Sequence, residues 1–263
     1  MEYTLITGAS GGIGKELARV FARNHHDLVL VARNAQALDE LKTELESTCG
    51  VSVICISQDL TAENAVQALF QELQKENVNV SILVNNAGFG DHSAFLDSDW
   101  KRQENMVRLN ILSLMEMTHT FGNEMKKHGQ GRILNLSSVA AFSAGPYMSI
   151  YYASKAFVLS FSEAVAKELE GTGVSVTALC PGPTSTGFEQ AANMGNSKMF
   201  SLLPQTPEDV ALAGYKACMQ RKAIRYHSPV TYGYNLLSRL LPRKFLCNLA
   251  GKVNGKGDPR NIP

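Results

Sequence analysis

Six short runs of apolar, largely β-branched residues recur before Cys180, separated by longer segments of helical periodicity. The runs are YTLIT from Tyr3, DLVLVA from Asp27, VSVICIS from Val51, SILVN from Ser81, RILNLS from Arg132 and VSVTALC from Val174. Each is apolar at nearly every position, with no alternation of wet and dry residues. Strands covered on both faces of a parallel sheet read this way. Helical patterns fill the gaps over 13–24, 34–48, 62–76, 100–127 and 151–171. Alternation of this kind predicts an α/β fold, a doubly wound parallel sheet with right-handed crossovers and helices on both faces. A chain of 263 residues fits one such domain. No repeat or composition break falls before about residue 220, so 1–220 reads as the domain and 221–263 as a basic, amphipathic extension of it.

Composition narrows the function. A formal net charge of +1 gives no general case for nucleic acid binding. Cys49, Cys55, Cys180, Cys218 and Cys247 are scattered without a CxxC pair, so neither metal nor disulfide use is expected, and the reducing cytoplasm is the natural compartment. The first strand-like run starts at Tyr3, leaving no room for a signal peptide. No apolar run reaches the roughly 18–20 residues that span a bilayer. His25-His26 reads as a solvated turn, and no histidine pair has metal-ligand spacing on a helix.

The first strand runs into Thr7-Gly8-Ala9-Ser10-Gly11-Gly12-Ile13-Gly14 and then into a helix. Glycines there permit a tight turn and close approach of backbone to a pyrophosphate, which the free N–H groups and dipole of the helix N-terminus favour. The spacing is GxxxGxG. At the end of the second strand an acid would accept from ribose hydroxyls and repel a 2′-phosphate. This chain has Val31-Ala32-Arg33-Asn34 instead. The fork of donors on Arg33 suits a phosphate, so NADP(H) is expected over NAD(H), with Ser10 a further small polar group nearby.

Tyr151 and Lys155 are four apart in a helical pattern and project from one face. A free tyrosine, with a pKa near 10, is inert at neutral pH. A nearby cation favours the phenolate, and lowering the value by about three units takes roughly 4 kcal/mol. A close lysine, a cofactor charge and low local dielectric together are expected to supply it. Tyr152 has Ala156 four residues on and reads as a packing residue.

Taken in order, TGASGGIG at 7–14, Asp59-Leu60 after the third strand, Asn85-Asn86-Ala87-Gly88 after the fourth, Asn110, Ser138, YxxxK at 151–155 and Pro181-Gly182 after the sixth resemble the short-chain dehydrogenase/reductase family over roughly residues 3–220. The resemblance implies a Rossmann-like fold and the following roles. Tyr151 is the general acid or base at a carbonyl oxygen. Lys155 lowers the Tyr151 pKa and bonds the nicotinamide ribose. Ser138, rather than Ser137, orients the carbonyl. Asn110 holds a water that links Lys155 to solvent. Asp59 meets the adenine, with Leu60 beside it. Asn86, Ala87 and Gly88 line the adenosine side. Pro181, Gly182, Thr184 and Thr186 hold the carboxamide end. The helices over 106–127 and 151–171 commonly pair subunits in this family, so a homodimer or homotetramer is expected, with Phe157, Val158 and Phe161 supplying surface.

The segment after Pro181 is where the family builds a substrate lid. Here Phe188, Met194, Met199, Phe200, Leu202 and Leu203 make it apolar, and Ala140, Ala141, Phe142, Met148 and Ile150 add apolar surface near Ser138. A small-molecule carbonyl or alcohol with a hydrophobic body is expected: 3-oxoacyl, steroid-like or aryl. The leading expectation is an NADP(H)-dependent oxidoreductase interconverting a carbonyl and a secondary alcohol. A non-catalytic NADP(H)-binding regulator would be marked by loss of Tyr151, Lys155 or Ser138, and all are present. A third reading is a membrane- or acyl-carrier-associated reductase of lipid metabolism. It rests on the tail, where Leu236, Leu237, Leu240, Leu241, Phe245, Leu246 and Leu249 form a stripe broken by Pro242 among many Lys and Arg. The favoured reading of that tail is a helix pair packed over the pocket or another subunit.

Overall fold

The computed structural model describes residues 2–188, 192 and 205–255. Seven strands, β1 (Glu2–Thr7), β2 (Asp27–Ala32), β3 (Val53–Ser57), β4 (Asn79–Asn85), β5 (Gly131–Leu136), β6 (Val174–Cys180) and β7 (Ile224–Tyr226), form one sheet of order β3-β2-β1-β4-β5-β6-β7. Every neighbouring pair is parallel. The helices are α1 (Gly12–Arg23), α2 (Ala35–Cys49), α3 (Ala65–Lys75), α4 (Trp100–Val107), α5 (Leu114–Lys127), α6 (Ser149–Glu168), α7 (Pro207–Met219), α8 (Pro229–Leu240) and α9 (Arg243–Asn254).

The continuous apolar runs follow from burial on both faces. In β1, Ile6 packs with Leu17 and Phe21 of α1, Leu41 of α2 and Val210 of α7. Its neighbour Leu5 packs on the other side with Leu69 of α3 and Phe121 of α5. Each fully buried leucine contributes about 1.5–3 kcal/mol. The chain order reverses between β1 and β4, and a crevice opens there at the strands' C-terminal ends, the usual ligand position in such sheets.

The structure departs from the sequence expectations in four places. β7 lies beyond residue 220, so the tail begins by adding a strand to the sheet. The helix expected over 100–127 is divided by a π-helical turn at Arg108–Ser113, where the Ser113 hydroxyl bonds the carbonyls of Leu60 (2.6 Å) and Arg108 (2.9 Å). Val158 is fully buried in its own subunit and cannot supply surface to a partner. Phe157 and Phe161 remain partly exposed and stack with centroids 5.7 Å apart. Finally, His26 is not a solvated turn residue: it packs edge-on against Phe21 at 5.3 Å, and burial lowers its pKa.

Candidate active site

One cavity of about 410 Å³ opens at the switch point, and three stretches of backbone build its floor. The turn after β1 contributes Gly8 and Ser10 to Ile13. Gly8 has φ +67°, and a Cβ there would stand 2.8 Å from the Asn86 amide nitrogen and 2.9 Å from the Ala87 Cα. A Cβ on Gly14 would collide with the Gly8 carbonyl oxygen. Glycine is therefore required for the turn to pass under the β4 loop. Gly11 caps α1 without a side-chain hydrogen bond, and no acid occupies the first turn. The N–H groups and dipole of α1 thus face the cavity open to an anion, a donor set that fits a pyrophosphate.

The β4 loop contributes Asn86, Ala87, Gly88 and Phe89. The Thr7 hydroxyl accepts from the Asn86 and Ala87 N–H groups, each at 3.0 Å, and the Asn86 amide donates to the carbonyls of Thr7 (2.9 Å) and Gly8 (3.2 Å). Asn86 therefore spends its donors holding the two loops together. Past β6, Pro181, Gly182, Thr184 and Thr186 all line the cavity, as expected for that end. Gln205 fixes them: its side-chain carbonyl accepts from Gly182 N–H at 3.2 Å, and its backbone pairs with Pro183 and Ser185.

Five expected residues, Gly14, Arg33, Asp59, Leu60 and Asn110, do not line this cavity. Arg33 is exposed at the end of β2, and its charge bears on Asp59. Burial alone would raise the Asp59 carboxyl, but bonds from the Thr61 backbone (2.9 Å) and hydroxyl (2.8 Å), with Arg33, hold it below its ordinary value. Asp59 is thus turned into its own loop, and Leu60 is buried behind it. Asn110, in the π-helical turn, donates to the Phe89 carbonyl (2.9 Å) and the Ser154 hydroxyl (3.1 Å) and accepts from Phe89 N–H (3.1 Å). It clamps the β4 loop on α6 from behind the cavity wall. A Cβ added at Gly88 would lie 3.0 Å from its carbonyl oxygen and 3.5 Å from Lys155 Nζ, so both converge on that glycine.

At the far end stand Ser138, Tyr151 and Lys155. The Ser137 hydroxyl is buried and donates to the Lys155 carbonyl at 2.8 Å. The Ser138 hydroxyl instead meets the Tyr151 phenol, while also accepting from Ala140 N–H at 3.1 Å. That separates the two serines by role. The expected lowering of the Tyr151 pKa by Lys155 is not what this geometry produces. Lys155 Nζ donates to the Leu136 carbonyl at 2.8 Å and lies 5.8 Å from the Tyr151 ring centre. Enclosure dominates both groups: it pushes Tyr151 up to about 12 against the pull of Ser138, and Lys155 down to about 8.

The apolar wall around Tyr151 is made by Phe188, with ring centroids 5.1 Å apart, and by Met148, Ala140 and Tyr152. Ala141 and Ile150 are absent from this wall, and Phe142 turns away to pack on Tyr226 and Tyr234. Met194, Met199, Phe200, Leu202 and Leu203 lie outside the described residues. The C-terminal helix closes this end. Ala250 packs with Ala140, Met148 and Tyr152. Asn254, 3% exposed, accepts from the Tyr152 hydroxyl at 3.2 Å, donates to the Pro146 carbonyl at 3.0 Å, and offers its own carbonyl to a His92 ring nitrogen at 2.6 Å. Sequence reading missed Asn254 and Gln205, because nothing local to either marks a partner far away in the chain.

Comparison with known proteins accords with this architecture. The sequence matches the short chain dehydrogenase family model over residues 2–197. It is 30% identical over 254 residues to the probable oxidoreductase EphD of Mycobacterium tuberculosis, covering 90% of this chain and 43% of that one. The chain therefore spans less than half the length of that relative. It is 31% identical over 230 residues to the ketoacyl reductase HetN of Nostoc sp., covering 86% of this chain and 79% of that protein. A short-chain dehydrogenase from Sphingobium yanoikuyae, solved in complex with NADPH, shares the fold with a TM-score of 0.82 at 29% identity, over 100% of both chains. With motif order, sheet order and family match in agreement, this chain belongs to the short-chain dehydrogenase family of oxidoreductases.

Proposed function

We propose that the protein is an NADP(H)-dependent reductase of ketones with a hydrophobic body, interconverting a carbonyl and a secondary alcohol. One observation carries the reading: a single cavity joins an uncapped helix N-terminus to a Ser–Tyr–Lys cluster with apolar walls, in which Lys155 is buried and Ser138 and Tyr151 are half-buried. NADPH supplies the hydride when bound. Gly8, Ser10 to Gly14 and the α1 amides hold its pyrophosphate, and Arg33 meets the 2′-phosphate from the open end of β2. Asp59 and Leu60 shape the loop beside the adenine, and Asn86 to Gly88 the adenosine side. Pro181, Gly182, Thr184 and Thr186 hold the carboxamide end.

At the reacting carbonyl, the Ser138 hydroxyl donates to the oxygen and fixes its position against Tyr151. As negative charge develops there, the phenol proton passes to it, and Lys155, with Nζ 5.8 Å from the ring centre, is the cation beside the phenolate left behind. A phenol held near 12 is protonated at neutral pH, the form that donates to a carbonyl in reduction. Asn110 acts through others, fixing the β4 loop and the Lys155 helix turn. The homologous ketoacyl reductase and the Phe188–Met148 wall both support a hydrophobic substrate. Subunits pair through α5 and α6, with Phe157 and Phe161 at the contact.

An NADPH-oxidation screen over 3-oxoacyl thioesters, steroid-like ketones, aryl ketones and small sugars tests this reading. The first three classes should react with NADPH and poorly with NADH. Turnover of sugars alone would sink the substrate assignment, and a preference for NADH would sink the role of Arg33.

A further inference from the structure

The α8–α9 pair has two faces, and the cavity accounts for only one. Inward, α8 buries Thr231 and Asn235 and α9 buries Leu246, Ala250 and Asn254, at helical spacing. Outward, Leu236, Leu237 and Leu240 of α8 and Phe245 and Leu249 of α9 stay exposed. Leu240 is 82% exposed and Phe245 54%, on either side of the Leu241-Pro242 elbow that joins the helices. Arg239, Arg243, Lys244 and Lys252 are exposed among them, and none makes an ion pair among the described residues.

The two helices are one-sided in charge: from Pro229 to Asn254 the sequence has four Lys and Arg and no Asp or Glu. A cationic, leucine-rich surface of this kind matches the headgroup region of an anionic bilayer. The leucines and Phe245 enter the acyl boundary, while Lys and Arg extend their charge to the phosphates. A second copy fits less well, since an isologous contact would bring two such cationic faces together. A helical peptide partner would need a groove, and a side chain exposed as fully as Leu240 lies in none.

We propose that the outer face of α8 and α9 docks on an anionic lipid surface. The inward contacts of Asn254 and Ala250 leave this face free, so docking and pocket closure use opposite sides of the same helices. The claim is independent of the proposed reaction, because it is read by binding alone.

The full chain is sedimented with vesicles of phosphatidylcholine alone and of phosphatidylcholine with phosphatidylserine, at low and high salt. Wild type should bind the mixed vesicles and lose roughly tenfold in partitioning without phosphatidylserine or at high salt. Leu240→Glu with Phe245→Glu, and separately Arg243→Glu with Lys244→Glu, should abolish binding while Tm stays near wild type, since all four side chains are exposed. The proposal is overturned if wild type stays in the supernatant with mixed vesicles, or if both double variants bind as wild type does. It is equally overturned if sedimentation equilibrium shows an oligomer that Leu240→Glu with Phe245→Glu dissociates, which would assign the face to a second copy.

Discussion

The two ends of the cavity are built by different means. The β1–α1 end is made of backbone: a left-handed Gly8, a Gly14 with no room for a side chain, and the amide groups of α1. The Tyr151 end is made of side chains brought from distant parts of the chain. Asn254 alone ties together Tyr152, Pro146 and His92, the last of them 162 positions away. A backbone site recognises what all members of a cofactor class share, a pyrophosphate. A side-chain site can be rebuilt by changing one helix, and that is where substrate choice belongs.

The contrast can be broken first at Lys155. Lys155→Met should lower turnover by about 10²–10³-fold, as for loss of a charge beside the developing phenolate. The same change should raise stability. Burial holds Lys155 near 8 rather than at 10.5, so between pH 8 and about 10 the unfolded chain binds more protons and stability rises with pH, while below 8 the folded state carries the full cost of the buried cation. That cost is at most about 3 kcal/mol, partly offset in wild type by the bond to Leu136. Thermal unfolding of the ligand-free protein should therefore show a higher Tm for Lys155→Met at pH 7 and a flatter pH dependence above 8. A lower Tm at pH 7 would mean that the ammonium is compensated by more than one carbonyl.

At the backbone end, Gly14→Ala should weaken NADPH by roughly a hundredfold, about 3 kcal/mol, because the obstructing atom is the Gly8 carbonyl and cannot swing aside. Fluorescence titration of NADPH measures it, with circular dichroism to verify folding. At the side-chain end, Asn254→Ala should raise KM for a good ketone by about thirtyfold, for two lost hydrogen bonds of roughly 1 kcal/mol each, and leave NADPH binding unchanged. An equal loss of NADPH affinity would show that the two ends are not separable. The smallest effect is expected at Arg33, where Arg33→Ala should reduce the NADPH-over-NADH preference by several-fold, as befits an exposed phosphate contact.

The same contrast explains what could be read in advance. Gly8, Gly11, Gly12 and Gly14 announce their turn because its geometry is set by residues adjacent in sequence. Six strands were legible because each carries an apolar run, buried on both faces in all but the edge strand β3, whereas β7, three residues long with no residue fully buried, left no apolar run to find. The π-helical turn at Asn110 was invisible because it is fixed from outside, by Leu60 and Phe89. Buried polar links across the sheet, such as Asn85 to Thr118 and Asn135, and Asn135 onward to Ser162, likewise depend on partners that local pattern does not pair. YxxxK named Tyr151 and Lys155, but the direction of their pKa shifts came from enclosure, which spacing does not encode.

The central claim is that Tyr151 transfers the proton while the α1 end holds the cofactor independently of it. Tyr151→Phe removes one oxygen from the cavity and touches nothing at Gly8–Gly14. NADPH titration and NADPH oxidation with a reactive ketone, run side by side on wild type and Tyr151→Phe, test the claim directly. The account predicts NADPH affinity within about twofold of wild type and oxidation reduced by at least roughly a hundredfold. Oxidation at the wild-type rate, with NADPH bound equally well, would contradict it.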